Sequence, residues 1–453
     1  MEINSLFWFS FKLKRKHQNL EVMIKKLSAD ELLSFLIIVS ILLIASRLLG
    51  ELFRRYKQPA VIGEILAGII LGPSLLGTLF PDVFKAIFTA QENAYRSFDG
   101  LAQIGIILLM FIAGFEVDLK QIKQYGKQAT SISIMSMVIP FSVGFGAVYL
   151  FYDEIFSKPT DNILIPALFF GTALSITALS VIAKLLLDLK ILKTKIGNLV
   201  MIAAMVNDFL GWILFSIITG MMAGVGKSDG SFGSIFLVLG FAIFILTIGR
   251  WVLDKIFLVA DRFLNPGAII TLAVSLCLSG AVLTEYLKVK GVFGAFLMGV
   301  AIGDSKYFKE RYQHILREFV VNLLAPLFFA SIGLRVNFIA NFNLQIVLII
   351  LAISCIGKLL GAGIGSKMSG LSNNESVAVA FGMNARGSQE IVLGSLALTA
   401  GIIDEPIFVG LVVMTVVTIL MAGPVMKHFY NKNLMSINDT QDKTQISRSS
   451  TPA

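Results

Sequence analysis

Apolar residues run along this chain in long stretches, each bounded by a short cluster of charged or turn residues, and thirteen such stretches are present. In the first part of the chain their approximate limits are 30–54, 59–76, 99–119, 127–152, 162–187, 195–223 and 232–258. They continue at 267–287, 290–304, 318–336, 344–368, 375–401 and 406–430. A helix needs about 20 mostly apolar residues to cross the hydrocarbon layer. The pattern therefore predicts an all-α polytopic membrane protein of about 13 transmembrane helices, of which the second and ninth are short and rich in glycine.

The stretches repeat. The second reads Gly63-Glu-Ile-Leu-Ala-Gly68-Ile-Ile-Leu-Gly72, and the ninth reads Gly294-Ala-Phe-Leu-Met-Gly299-Val-Ala-Ile-Gly303, with the same glycine spacing. The third ends Gly114-Phe-Glu-Val-Asp118, and the tenth ends Gly333-Leu-Arg-Val-Asn337. An offset of seven spans is odd, so each element of the second repeat runs opposite to its counterpart, which is the inverted-topology arrangement of secondary transporters. The same register lays the fifth stretch on the twelfth, and both are interrupted by polar residues and glycine. These are Gly171-Thr-Ala-Leu-Ser175-Ile-Thr177 and Gly382-Met-Asn384-Ala-Arg386-Gly387-Ser-Gln-Glu390. Unwound backbone is tolerated at membrane depth only where it lines a cavity or is buried in protein, so two broken helices crossing near the midplane are expected, with a substrate site between them.

Composition agrees and removes alternatives. Of 453 residues, 56% are hydrophobic and 15% charged, against about 25% charged in soluble domains, which leaves no stretch for a soluble domain. The net charge of +9 is scattered through loops, a distribution that suits a membrane surface and not a nucleic acid. Loops after odd-numbered stretches carry sixteen Lys and Arg residues against seven after the even-numbered ones, which places the C-terminus in the cytoplasm of a multi-pass protein of the cell (inner) membrane. Cys277 and Cys355 lie inside apolar runs and His17, His314 and His428 are far apart, so neither a disulfide framework nor a zinc site is expected. Residues 1–29 read as a basic N-terminal extension without a cleavable signal, with Met23 as a second plausible start. Residues 30–430 read as the transmembrane domain and 431–453 as a disordered cytoplasmic tail.

Charges deep inside the stretches are few: Glu64, Asp208, Lys358, Arg386 and Glu390. Each costs about 2.5 to 3.5 kcal/mol at the bilayer centre and so requires a reason. Asp208 has more than a turn of apolar helix on both sides and cannot reach the surface. A carboxylate there holds either a proton or a small cation, and mutually exclusive occupancy is sufficient for exchange; its other reading is an acid that hydrogen-bonds two helices together. Asn207 offers a carbonyl to an ion or an amide to helix packing. Lys358 needs an acidic partner, for which Asp208 stands first, with Glu64 and Glu390 as structural alternatives. Arg386 and Glu390, four apart, can pair along one face, and Arg386 can compensate dipole ends at the break. Ser175, Thr177 and the freed carbonyls near them are oxygen ligands suited to a hard cation, although such hydroxyls also bond back to their own helix. Glu116 and Arg335 occupy equivalent repeat positions at span ends.

Gln58-Pro59-Ala-Val-Ile-Gly-Glu64-Ile-Leu-Ala-Gly68, Met110-Phe-Ile-Ala-Gly-Phe-Glu116-Val-Asp118, Val206-Asn207-Asp208, Gly294-Ala-Phe-Leu-Met-Gly299 and Met383-Asn-Ala-Arg386-Gly387 together resemble the monovalent cation:proton antiporter-2 family, the sodium/hydrogen exchanger domain. The likeness runs from about residue 30 to 430. It implies the sodium/proton antiporter fold, with two inverted five-helix repeats, a dimer domain, and a core domain that moves like an elevator. It also implies a homodimer that exchanges Na+ or K+ for H+ and needs no cofactor. Carried over residue by residue, it makes Asp208 the ion and proton carboxylate, Asn207 its neighbour, Thr177 a site-lining hydroxyl, Lys358 the core cation facing Asp208, and Arg386 the arginine of the second broken helix. Electrogenic members carry two adjacent acids where this chain has Asn-Asp, which favours electroneutral exchange, whereas electroneutral relatives often carry Arg where Lys358 stands. The nucleotide-binding domain of the potassium-efflux branch is missing, so regulation of that type is not expected. Rival readings are a sodium-coupled organic anion symporter of similar fold, an intramembrane aspartyl enzyme, which needs a second deep acid, and a passive channel.

Overall fold

The computed structural model describes residues 26–56, 58, 60–115, 126–156, 163–177, 181–182, 185–186, 191, 194–222, 232–287 and 289–449. Within them, the side chains at 126–128, 195, 208, 219–222, 232–235, 237, 388 and 433–449 lie outside the description. The helices that matter for the site are α1 (Ala29–Arg55), α2 (Ala60–Leu71), α3 (Glu92–Phe115), α4 (Gly126–Leu150), α5 (Leu164–Ser175) and α6 (Lys195–Met222). α7 consists of Phe232–Phe244, a π turn at Ile245–Gly249 and Arg250–Phe263; α8 is Pro266–Tyr286 and α9 is Gly291–Gly303. α10 joins Glu310–Phe319 to Ala325–Arg335 through a π turn at Val320–Leu324. α11 (Leu344–Met368), α12 (Asn373–Met383), α13 (Ser388–Thr399) and α14 (Glu405–Ser449) complete the chain.

Helix ends fall where the local chemistry stops them. Ser28 and Ser372 each open a helix with a reciprocal capping box, completed by Glu31 and Glu375, which satisfies orphan N–H groups at the N-terminus. α8 begins with Pro266 behind an Asn265 cap, a favourable pairing because the first turn needs no N–H from proline. Among the described residues, nine helices are long and apolar enough to cross a membrane, and α5 and α9 are shorter apolar ones. The seventh and twelfth predicted stretches are helices interrupted, one by a π turn and the other by a break.

Two bundles form. α1, α2 and α3 pack with α8, α9 and α10, while α4, α5 and α6 pack with α11 to α14. The repeated glycines explain how the first bundle closes. A Cβ on Gly68 would fall inside the Ala330 carbonyl of α10, and one on Gly333 inside the backbone of α2 at Gly68. At the equivalent positions, a Cβ on Gly299 would fall inside the Phe111 carbonyl of α3, and one on Gly114 inside the backbone of α9 at Phe296. The same seam is thus built twice, α2 on α10 and α9 on α3, as an inverted repeat requires. With no hydrophobic force to separate helix from lipid, backbone contact through small residues supplies the packing.

The second bundle centres on α4 and α11, themselves counterparts in the repeat. Gly357 lies against Pro140, Gly361 against the Met135 carbonyl, and Gly365 against the Ser131 carbonyl. α7 joins the bundles: its first half packs on α6, and its second half is tied to the loop after α9 by Arg250 with Asp304 and by Lys309 with Asp261 at 2.7 Å. Between the bundles lies a cavity of 280 Å³ lined by Phe53 of α1, by Val61, Ile62, Ile65, Leu66 and Ile69 of α2, and by Ile391 of α13 and Val412, Val413 and Thr415 of α14.

Candidate functional site

α5 stops at Ser175 because Ile176 turns extended, at φ −70° and ψ 156°. α12 stops at Met383, and three further residues separate its Asn384 cap from the start of α13 at Ser388. The two C-terminal ends face each other. The Thr177 hydroxyl, buried, donates to the Met383 carbonyl at 3.2 Å. Arg386, with no exposed surface, donates to the carbonyls of Ala173 at 3.0 Å and Leu174 at 2.7 Å. A helix leaves its last four carbonyls unbonded and carries partial negative charge there, so a guanidinium bridging two of them satisfies the geometry and the dipole together.

Lys358 serves the same end of α5. Its ammonium, also without exposed surface, donates to the Ser175 carbonyl and, at 3.0 Å, to the Ser136 carbonyl of α4. The carbonyls that the sequence offers as ion ligands, from Ala173 to Ser175, are therefore occupied by cationic side chains. The Ser175 hydroxyl bonds back to the Thr172 carbonyl at 2.8 Å. Glu390, 1% exposed, lies 3.5 Å from Arg386 and accepts the Gly387 N–H at 2.8 Å, which caps α13 with the same carboxylate that faces the guanidinium.

α6 passes beside this crossing. A Cβ on Gly211 would fall inside the Ile176 side chain, so the break in α5 rests on α6 three residues past position 208. Asn207 is fully buried, and the amide orientation that suits its neighbours accepts from the Ser136 hydroxyl at 2.9 Å and donates to the carbonyls of Ser133 at 3.0 Å and Ala203 at 3.3 Å. Its hydrogen-bonding capacity is thus directed into α4 and its own helix. Asp208 follows Asn207 in α6; its side chain, and the whole of Glu116, lie outside the described residues.

The structure brings together Asn207, Ser175, Thr177, Lys358, Arg386 and Glu390. Glu64 stands apart, in the first bundle, where its side chain lies 3.7 Å from the space over Gly50 of α1. Ser136 is the residue that sequence reasoning passed over. The available signal was Pro140, which sits four positions on inside α4. No group of three or more His, Cys, Asp or Glu arranged to hold a resident metal occurs among the described residues.

The model of the sodium/hydrogen exchanger transmembrane region matches residues 38–432. The chain belongs to the sodium/hydrogen exchanger family. Within this family it is 31% identical over 415 residues to the Na(+)/H(+) antiporter NhaS4 of Synechocystis, a match that covers 89% of this chain and 99% of the relative. It is 28% identical to the Na(+)/H(+)-K(+) antiporter GerN of Bacillus cereus, with 86% and 95% covered. Its fold is that of the sodium proton antiporter MjNhaP1 from Methanocaldococcus jannaschii, with a TM-score of 0.63 over 87% of this chain and 98% of that one at 17% identity. As a member of this family the protein is a multi-pass integral membrane protein.

Arg386 is a costly charge to remove from the crossing. Arg386→Met leaves Glu390 buried without its cation and two carbonyls without donors, and removing one partner of a buried pair costs about 3–5 kcal/mol. A markedly lower melting temperature in detergent is expected, with partial recovery in the double variant Arg386→Met, Glu390→Gln. An unchanged melting temperature for Arg386→Met would contradict the bridging role.

Proposed function

We propose that this protein exchanges Na+ or K+ for H+ across the cell (inner) membrane by alternating access, with Asp208 as the carboxylate for which proton and cation compete. The supporting observation is the meeting of two interrupted helices, through Thr177 with Met383 and Arg386 with Ala173 and Leu174, against the turn of α6 that holds Asn207 and Asp208. In such a crossing the helix ends have already been neutralised by Arg386 and Lys358. The remaining charge balance is set by whatever occupies the carboxylate. One site that holds a cation or a proton, and empties only to reload with the other, gives obligatory exchange. With a single titrating acid, one charge moves in each direction, and the exchange is electroneutral.

In this reading residues 30–430 form the transport unit, the bundle of α4 to α6 and α11 to α14 carries the site, and the bundle of α1 to α3 and α8 to α10 holds it in a homodimer with the C-terminus in the cytoplasm. The protein is a transporter and not an enzyme, and it uses no cofactor. Thr177 and Ser175 line the ion path, with Asn207 holding the acid's helix in register and Lys358, Arg386 and Glu390 compensating charge.

The test is cation-induced proton release from everted vesicles of cells lacking their own antiporters, with Na+, Li+ and K+ added in turn and the membrane potential either free or clamped. Release by at least one cation, at a rate indifferent to the clamp, is the expected result. Each charge moved net would gain about 2.3 kcal/mol per 100 mV, so a strongly voltage-dependent rate would exclude the one-for-one version. Cation flux without proton counter-movement would exclude exchange altogether.

A further inference from the structure

Pro140 stands in the interior of α4, with helix continuing on both sides. Proline has no N–H, so the carbonyl four residues earlier loses its partner within the helix. That carbonyl belongs to Ser136. A buried carbonyl seeks a donor, and here the donor is the Lys358 ammonium of α11, at 3.0 Å. The ring is also what α11 packs against. A Cβ on Gly357 would lie 2.9 Å from the Pro140 Cα, and one on Gly361 3.0 Å from its Cδ. The proline therefore uncovers the acceptor and, through the glycines on either side of Lys358, brings the ammonium up to it.

The other end of Ser136 is used as well. Its hydroxyl, fully buried, meets the Asn207 amide of α6 at 2.9 Å. One residue of α4 thus holds a residue of α6 through its side chain and a residue of α11 through its backbone. α4 itself has no charged residue at the crossing.

We propose that Ser136 and Pro140 are positioning residues of the exchange site: the missing N–H at 140 opens the Ser136 carbonyl to Lys358, while the Ser136 hydroxyl fixes Asn207, and together they set how α6 and α11 face each other at Asp208. This rests on the exchange reading given above. Neither residue is placed against the transported ion, and both act through the side chains they hold.

The two arms separate experimentally in full-length protein reconstituted into vesicles. Pro140→Ala restores an N–H that takes the Ser136 carbonyl into the helix and deprives Lys358 of that acceptor. The ratio kcat/KM for the cation is expected to fall about tenfold, on the scale of one lost charge-assisted hydrogen bond. Replacing Pro140 with lactic acid, which also lacks an N–H but has no ring, is expected to restore most of it. Ser136→Ala keeps the carbonyl and removes the hydroxyl, so it is expected to raise the apparent KM with turnover largely retained, and Ser136→Thr to reverse that. Wild-type kinetics in Pro140→Ala, or equal losses in the alanine and lactic acid variants, would overturn the carbonyl arm. If Pro140→Ala does not assemble, assembly of the lactic acid variant with near wild-type kinetics still supports that arm, and its failure alongside overturns it. An unchanged KM in Ser136→Ala overturns the hydroxyl arm. All of these outcomes presuppose exchange by the wild-type protein, so absence of wild-type exchange sinks the function itself and is read separately.

Discussion

Asp208→Asn is expected to reach the membrane in normal amounts and to lose cation-induced proton release by at least about 100-fold. The side chain keeps its shape but can neither release a proton nor offer a charge to a cation, so both halves of the exchange fail together. The break in α5 rests on α6 at Gly211, and Asn207 is tied into α4. The helix that carries Asp208 is therefore held without the carboxylate, which is why the fold should tolerate the change. Everted-vesicle assays on matched amounts of protein read the result, and undiminished exchange would remove Asp208 from the mechanism.

The largest effect on stability is expected at the duplicated seam. Gly68→Val and Gly299→Val each drive a side chain into a carbonyl of the facing helix, Ala330 in one case and Phe111 in the other. Neither backbone can yield without parting α2 from α10 or α9 from α3, so the cost should exceed the ~1–3 kcal/mol typical of an overpacked core. Loss of folded protein, or a fall in melting temperature of similar size in both variants, is the expected outcome. Gly100→Ala and Gly146→Ala are the controls, because nothing lies within 4 Å of a Cβ at either position. A tolerated Gly68→Val alongside a damaging Gly299→Val would contradict the equivalence of the two seams.

Much of this was legible from the letters. Lipid penalises charge and unbonded backbone so heavily that spans, breaks and intramembrane charges stand out without any knowledge of the fold. The glycine register of Gly63, Gly68 and Gly72 over Gly294, Gly299 and Gly303 marked the repeat, and the structure supplies its cause in two matching backbone contacts. The pairing of Arg386 with Glu390 and its place at the helix break were legible too, and the structure has both. What stayed hidden were particular backbone acceptors, because side-chain charges are visible in a sequence and stranded carbonyls are not. Lys358 reaches the carbonyl of Ser175 at the end of α5 and that of Ser136 in α4. Glu64 looked equivalent to Glu390 because both are acids inside apolar stretches, and only the packing of α2 on α1 separates it from the crossing. Ser136 carried a legible signal in Pro140, since a proline within a helix names the carbonyl it strands.

The 280 Å³ cavity between the bundles has a mechanical consequence. Its walls are hydrocarbon, and the hydroxyl of Thr415, among them, is committed to the Leu411 carbonyl of its own helix at 2.9 Å. A wall of this kind has no teeth: displacing it along its neighbour trades each methyl contact for another of nearly equal worth, and no hydrogen bond between the lining residues has to break on the way. The glycine seams, by contrast, hold α2 to α10 and α9 to α3 in register. The molecule is stiff where its two repeats clasp each other and smooth where its two bundles meet.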